Sequence, residues 1–315
     1  MKRTILVIAL IFIILFSGCS HKKSDPGKSG DATAAYVKPV EKPTYIANLT
    51  TSESKVLYTG RSALDGISWS DDEKYVTCSE NVIDDGGSIV GHSLHLYKTY
   101  TPEEIPLPAE MNDLDYHFKV AFWKDKENVY SVQYNSSPSE NGVYFVYNVI
   151  SKKLRRILET EYDKSAKPVW DKEQSFIDRC YQSDQLTAEL KRKTGNEFTW
   201  AYISSDKSKF LYSTDAFQVF LYDLKTNKKK FLFYGFNIQW SPGENKILYD
   251  VPMKTIYEKL RKYENYDSRV FDSYVYDIKE SKSIKIADFA VEGDFSPKDQ
   301  YLIYHKADYR GLKTA

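Results

Sequence analysis

The sequence predicts an all-β protein, a six-bladed β-propeller of four-stranded antiparallel blades carrying one short helical insertion. Three observations predict it. One phrase, an aromatic or apolar residue followed by a short polar turn and an alternating strand, recurs six times. A second hairpin type, apolar strand, charged turn, apolar strand, alternates with the first. The chain is also rich in residues that favour strands, with 26 Tyr and 16 Phe in 315 residues. Its 44 basic residues balance 44 acidic ones, which leaves no global cationic field for nucleic acid, and a hydrophobic content of 42% is too high for a disordered chain.

The elements follow in order along the chain. Lys2 and Arg3 form a basic start, residues 4–16 are almost wholly apolar, and Phe16-Ser17-Gly18-Cys19 opens a polar stretch. This resembles a bacterial lipoprotein signal, with Phe16 standing where that family prefers Leu. The apolar run is shorter than the ~20 residues a membrane span needs. The resemblance implies cleavage after residue 18 and a lipid on Cys19, so that 1–18 is a signal peptide and 19–43 an anchor and flexible tether. Ser, Lys, Asp, Gly, Ala and Pro dominate that tether, which cannot bury a core. The folded unit is expected over residues 44–315, held by its lipid at the extracytoplasmic face of a bacterial cell membrane.

Tyr45 to Thr50 and Lys55 to Tyr58 have the form of the second hairpin with no first hairpin before them, and the last copy of the phrase, near Phe295, has the opposite deficit. Joining the two builds one blade from both ends of the chain and removes exposed strand edges. The six copies of the phrase lie at Ile67 to Val76, Ala121 to Tyr130, Val169 to Phe176, Tyr202 to Tyr212, Ile238 to Tyr249 and Asp294 to Tyr304. The second hairpin appears at Tyr144 to Leu158, Val219 to Phe233 and Tyr274 to Ile286, and more loosely at Leu94 to Leu107. Two hairpins per repeat make ~45 residues, the size of a propeller blade. Trp240 followed by Ser241-Pro242-Gly243-Glu244-Asn245-Lys246-Ile247-Leu248-Tyr249 is similar to the repeat of TolB-like six-bladed propellers, a resemblance that covers residues 44–305. That family spans binding proteins, peptidase gate domains and some lyases. Copy three departs most, since Leu186 to Lys193 matches the second hairpin weakly.

Turns inside the hairpins are short and should share one face; the other face carries residues 80–92, 108–118, 159–167 and an insertion from Pro252 to Asp272. In the insertion, Met253, Ile256, Tyr257, Leu260 and Tyr263 fall on one face of a helix, with Lys254, Glu258, Lys259, Arg261 and Lys262 on the other. Two readings stand, a lid packed on the blades or a partner-docking helix, with Tyr263, Tyr266 and Phe271 serving as core or contact aromatics. Charge divides as well. Asp84, Asp85, Asp113, Asp115, Glu159, Glu161, Asp163, Glu264, Asp267 and Asp272 fall on the loop-bearing side. Lys152, Lys153, Arg155, Arg156, Lys228, Lys229, Lys230, Lys279 and Lys282 fall near the tight turns. Such a split is either plain solvation or a basic face for an anionic surface opposite an acidic rim for a cationic partner.

Catalytic signatures are sparse. The sequence has no Gly-x-Ser-x-Gly elbow and no phosphate-binding loop, because Asp84-Asp85-Gly86-Gly87 lacks the lysine. His92 and His95 are three apart, which on a strand points them to opposite faces. Channel histidines bind metal in some TolB-like lyases, and His92, His95, His117 and His305 are scattered for that purpose; the aspartate turn is a flexible turn sooner than a calcium loop. Cys78 and Cys180 lie in different blades and are read as buried free thiols, with a disulfide as the alternative. The reading is a lipid-anchored binding or scaffold module that engages a protein or peptide through its loop-bearing face, without cofactor, metal or nucleic acid. Candidate contact residues are Asp84, Asp85, Asp113, Asp115, His117, Tyr257, Tyr263 and Tyr266. The alternative is a hydrolase or lyase of cell-wall or extracellular carbohydrate built on Asp113, Asp115 and His117, whose carboxylates would have to gather within ~5–10 Å.

Overall fold

The structure, a computed structural model, describes residues 42–113, 116–135, 142–169, 198–214, 216–252, 271–288 and 290–306, with isolated positions between 170 and 197. The described strands form five four-stranded antiparallel sheets. β1 (Lys42–Asn48) and β2 (Glu53–Gly60) come first. β3 (Leu64–Trp69), β4 (Tyr75–Ile83), β5 (Ile89–Lys98) and β6 (Glu103–Glu104) make one blade. The next is β7 (Phe118–Trp123), β8 (Asn128–Tyr134), β9 (Val143–Asn148) and β10 (Lys153–Ile157). Then follow β11 (Phe198–Ile203), β12 (Lys209–Thr214), β13 (Gln218–Asp223) and β14 (Lys228–Tyr234), and after them β15 (Phe236–Trp240), β16 (Lys246–Pro252), β17 (Phe271–Asp277) and β18 (Lys282–Asp288). The last two strands, β19 (Ala290–Phe295) and β20 (Tyr301–Lys306), complete a sheet of order β19-β20-β1-β2. The two chain ends therefore share one blade, with Tyr45 opposite Tyr304 and Ile46 opposite Ile303.

Both hairpin types are held by a recurring side chain. In the first, a buried serine follows the aromatic or apolar residue, and its Oγ accepts the backbone N–H five residues on: Tyr75 to Ser70, Lys209 to Ser204, Lys246 to Ser241 and Tyr301 to Ser296, all at 2.8–3.0 Å. In the second, an Asn or Asp closes the strand and accepts N–H groups of its own turn, as Asn48, Asn148, Asp223 and Asp277 do. These residues compete for backbone donors in extended structure and so favour turns.

The third residue after that serine has positive φ in four of these first turns, at Glu73, Lys207, Glu244 and Asp299. In three of them it latches one blade to the next. Lys298 N–H donates to Glu73, Gly243 N–H to Asp299 Oδ1 at 3.0 Å, and Ser205 N–H to Glu244. A Cβ at position 243 would lie 2.5 Å from Asp299 Oδ2, so any other residue there would displace that carboxylate from its latch.

The core lies between blades. Ile46, Leu57 and Ile303 of the shared blade pack on Leu64, Val76 and Cys78 of the next. Leu64 N–H donates to the buried Thr44 Oγ1 at 3.2 Å across the same seam. Cys78 is a buried free thiol whose pKa burial pushes up, with Asp294 and Asp65 adding to the effect; Cys180 lies outside the described residues.

Two expectations change. Residues 80–92 are not a long loop, because β4 and β5 continue as a hairpin to a tight turn at residues 84–88. Residues 159–167 are not a loop either: 159–169 form a helix, α1, whose Tyr162 and Ala166 pack on Phe122, Tyr144 and Ile157. The insertion helix, with Tyr257, Tyr263 and Tyr266, and the body of the third copy lie outside the described residues. No helix among the described residues is long and apolar enough to cross a membrane.

Candidate functional site

The loop-bearing ends of the blades β3–β6 and β7–β10 hold the sequence-predicted residues that the structure describes. In the β4–β5 turn, Ser88 N–H donates to Asp84 Oδ1 at 2.8 Å and Gly87 N–H to Asp84 O at 3.1 Å, with Gly87 at φ +85°. The Asp84 carboxylate is thus occupied by its own turn. Asp85 is exposed and pairs with Arg61 Nη1 at 3.3 Å, a guanidinium that also donates to Ile83 O. Such an exposed pair adds little stability, and the net acidic charge at this turn comes from Asp84, whose carboxylate is held by a neutral N–H group.

The connection from β6 to β7 is pinned at several points. Its 3₁₀ turn, Ala109–Asn112, buries Met111. Asn112 clamps Leu94, accepting from its N–H at 2.8 Å and donating to its carbonyl at 2.9 Å, and Gln133 Nε2 donates to Glu110 O. Two histidines then clasp β5 to the start of β7. His92 Nδ1–H donates to His117 O and His117 Nδ1–H donates to Val90 O, each at 2.6 Å. A carbonyl can only accept, so each ring carries a proton on Nδ1.

Lys119 is the unforeseen member of this group. β7 keeps an unbroken register with β8, whereas β3, β11, β15 and β19, the first strands of the other described blades, each contain a bulge. Lys119 is only 4% exposed, and its ammonium donates to His92 O at 2.7 Å and Tyr116 O at 2.8 Å. Burial pushes its pKa down and Asp113 partly restores it. Asp113, His117, His92 and Lys119 therefore form one network, which Asp84 and Asp85 do not join. Asp115 lies outside the described residues.

Apolar side chains surround this network. Ile89 is 60% exposed, Val90 44%, Phe118 36% and Val120 54%, and the His92 and Phe118 rings are 5.2 Å apart. Exposed apolar side chains of the neighbouring strands β5 and β7 thus sit over a pinned backbone, which matches the composition of a contact surface. Among the described residues no group of three or more His, Cys, Asp or Glu is gathered to hold a metal ion.

His95, three residues after His92 on β5, faces the other way, into the seam beside β2. Its Nδ1 lies 2.8 Å from Glu104 Oε1 and its Nε2 lies 3.5 Å from Glu80 Oε2. The second distance is long for a hydrogen bond, so Glu80 acts on the ring through its charge. Burial pulls the His95 pKa down, but the two carboxylates outweigh it and the net shift is upward. Glu80 is net lowered, since His95 and Tyr58 outweigh its burial. Burial and Glu80 push the Tyr58 hydroxyl up.

No family model matches the sequence, and no curated protein matches it. Among solved structures the chain is similar to TolB from Acinetobacter baumannii, with 9% identity over 85% of this chain and 64% of that one, at a TM-score of 0.26. It is similar to a putative TolB from Agrobacterium tumefaciens, with 11% identity over 82% and 74% and a TM-score of 0.23. It is also similar to oligogalacturonate lyase from Vibrio parahaemolyticus, with 11% identity over 84% and 72% and a TM-score of 0.27. The chain thus spans less than two thirds of the length of the A. baumannii protein. Likenesses at such TM-scores carry no weight for function, and the propeller-type arrangement rests on the sheet order and the shared terminal blade described above.

Proposed function

We propose that this chain is a bacterial lipoprotein, cleaved before Cys19 and held by a lipid on that cysteine at the extracytoplasmic face of the cell membrane. Its closed six-bladed propeller serves as a binding or scaffold module for a protein or peptide partner. The observation that carries the binding role is the patch of Ile89, Val90, Phe118 and Val120 on the loop-bearing side. Its underlying backbone is pinned by His92, His117 and Lys119, so little ordering cost would fall on association. At the neighbouring β4–β5 turn Asp84 and Asp85 outnumber Arg61, and that net acidic charge favours a partner with basic residues around an apolar segment.

Photo-crosslinking in cells tests this. A photoreactive residue at position 89 or 118 is expected to give one discrete adduct that weakens at high salt, and one at position 229, among the tight turns, is expected to give none. Equal adducts from both faces would overturn the reading. The anchor is tested separately, since Cys19→Ser should abolish incorporation of labelled fatty acid and release the protein from membranes.

A further inference from the structure

A cavity of about 250 Å³ opens where β9 and β10 meet the start of α1, lined by Gly142, Tyr144, Arg156, Ile157, Leu158 and Glu159. It is smaller than the ~300–1,000 Å³ typical of drug-sized ligands, which limits an occupant to roughly one amino acid. Its charges are arranged unusually. Arg156 and Glu159 line the same space with opposite sign, yet they do not pair with each other, whereas the adjacent Arg155 holds Glu161 through both guanidinium nitrogens. Unbridged opposite charges facing one small space leave room for a ligand that carries both.

The walls fit the same occupant. Tyr144 is 8% exposed, and its hydroxyl shares a hydrogen bond with Tyr134. A Cβ at position 142 would lie 2.7 Å from Val132 Cγ2 and 2.9 Å from Tyr134 Cε1, so glycine is what lets the strand pass over these side chains. Ile157 and Leu158 supply aliphatic surface, with Leu158 exposed at the rim. Asp163 stands one helical turn beyond Glu159 and adds negative charge on that side; burial and Glu159 raise its pKa.

We propose that this cavity binds a free apolar α-amino acid as its zwitterion. Arg156 takes the carboxylate through its planar fork, Glu159 takes the ammonium, and Tyr144, Ile157 and Leu158 receive the side chain. This site is independent of the patch formed by Ile89 and Phe118, and the two can fail separately.

Calorimetric titration of the full chain with L-leucine, N-acetyl-L-leucine and L-leucinamide tests the proposal. Leucine is expected to bind, with each blocked derivative at least about tenfold weaker, because each removes one charge-assisted contact. Arg156→Gln should weaken leucine about tenfold and leave leucinamide unchanged. Glu159→Gln should weaken leucine and leave N-acetyl-leucine unchanged. Arg155→Gln, which breaks only the pair with Glu161, should leave leucine affinity intact and serves as the folding control. Failure of leucine to bind at about 10 mM would overturn the proposal. So would equal affinity for all three probes, and undiminished affinity for N-acetyl-leucine alone would instead indicate the C-terminus of a peptide.

Discussion

His95 shows how one side chain can couple this fold to pH. Its ring sits among Tyr58 of β2, Glu80 of β4, Tyr97 of β5 and Glu104 of β6, and only the imidazolium offers a proton toward both carboxylates. Because its folded pKa is raised, its stabilisation is complete below the ordinary value near 6.5 and is lost as pH rises through the folded value. Glu80 acts in the opposite sense: with its pKa lowered, its share is complete above 4.5 and is lost as pH falls through the folded value. Denaturation in urea should therefore show greatest stability in mildly acidic buffer and a loss of ~1–2 kcal/mol by alkaline pH. His95→Gln should flatten the alkaline limb, and an unchanged limb in that variant would place the titration elsewhere. Lys119 is a second case. Its period-two position puts it with Ala121 and Trp123, on the inward side of β7, so a buried cation was legible in principle. Its carbonyl partners, His92 O and Tyr116 O, come from segments that no spacing rule connects.

Strands and turns were the most readable elements. The Ser that follows the aromatic or apolar residue and the Asn or Asp that ends the later strand are local devices, so their spacing in the sequence carries them directly. The acidic residue four positions after the aromatic was visible too, but its latch to the neighbouring blade was not, since the acceptor and donor are far apart in the chain. For Asp299 and Ser241 that separation is 58 residues. Asp299→Ala should cost ~1–3 kcal/mol, because it leaves Gly243 N–H and Ser241 Oγ without their buried acceptor. Gly243→Ala should cost a similar amount by displacing the same carboxylate, and the double variant should be clearly less destabilised than the sum. Additive losses in thermal melts would mean that the two residues act independently. Two stretches misread as loops failed for a related reason. Residues 80–92 hold Asp, Gly and Ser that also suit a tight turn, and 159–167 hold few apolar residues because α1 buries only part of one face.

For the molecule as a whole, closure is the central event. β1 pairs with β20, and Ile46 and Leu57 bring the first two strands into the core of the following blade. Deleting residues 44–58 should abolish the cooperative melt, since half of the terminal sheet and its seam to β3 would be lost together. Ile46→Ala, a milder probe of the same seam, should cost ~2–4 kcal/mol. A truncated protein with an unchanged melting temperature would show that the ends are dispensable.

Repetition, the two turn chemistries and the pairing of the chain ends could all be read from the residues, because each is a pattern of short range or of simple self-similarity. The balance of 44 basic and 44 acidic residues could not be read so far. In the folded chain many of these charges are absorbed pairwise: Arg61 with Asp85, Arg155 with Glu161, Lys246 with Asp277, and Lys285 with Asp272 and Asp288. Arg156 and Glu159 are instead left facing one cavity. Which charges cancel and which stay available depends on distances between strands, and those are set by how side chains of different blades pack, a property that no local window of sequence contains.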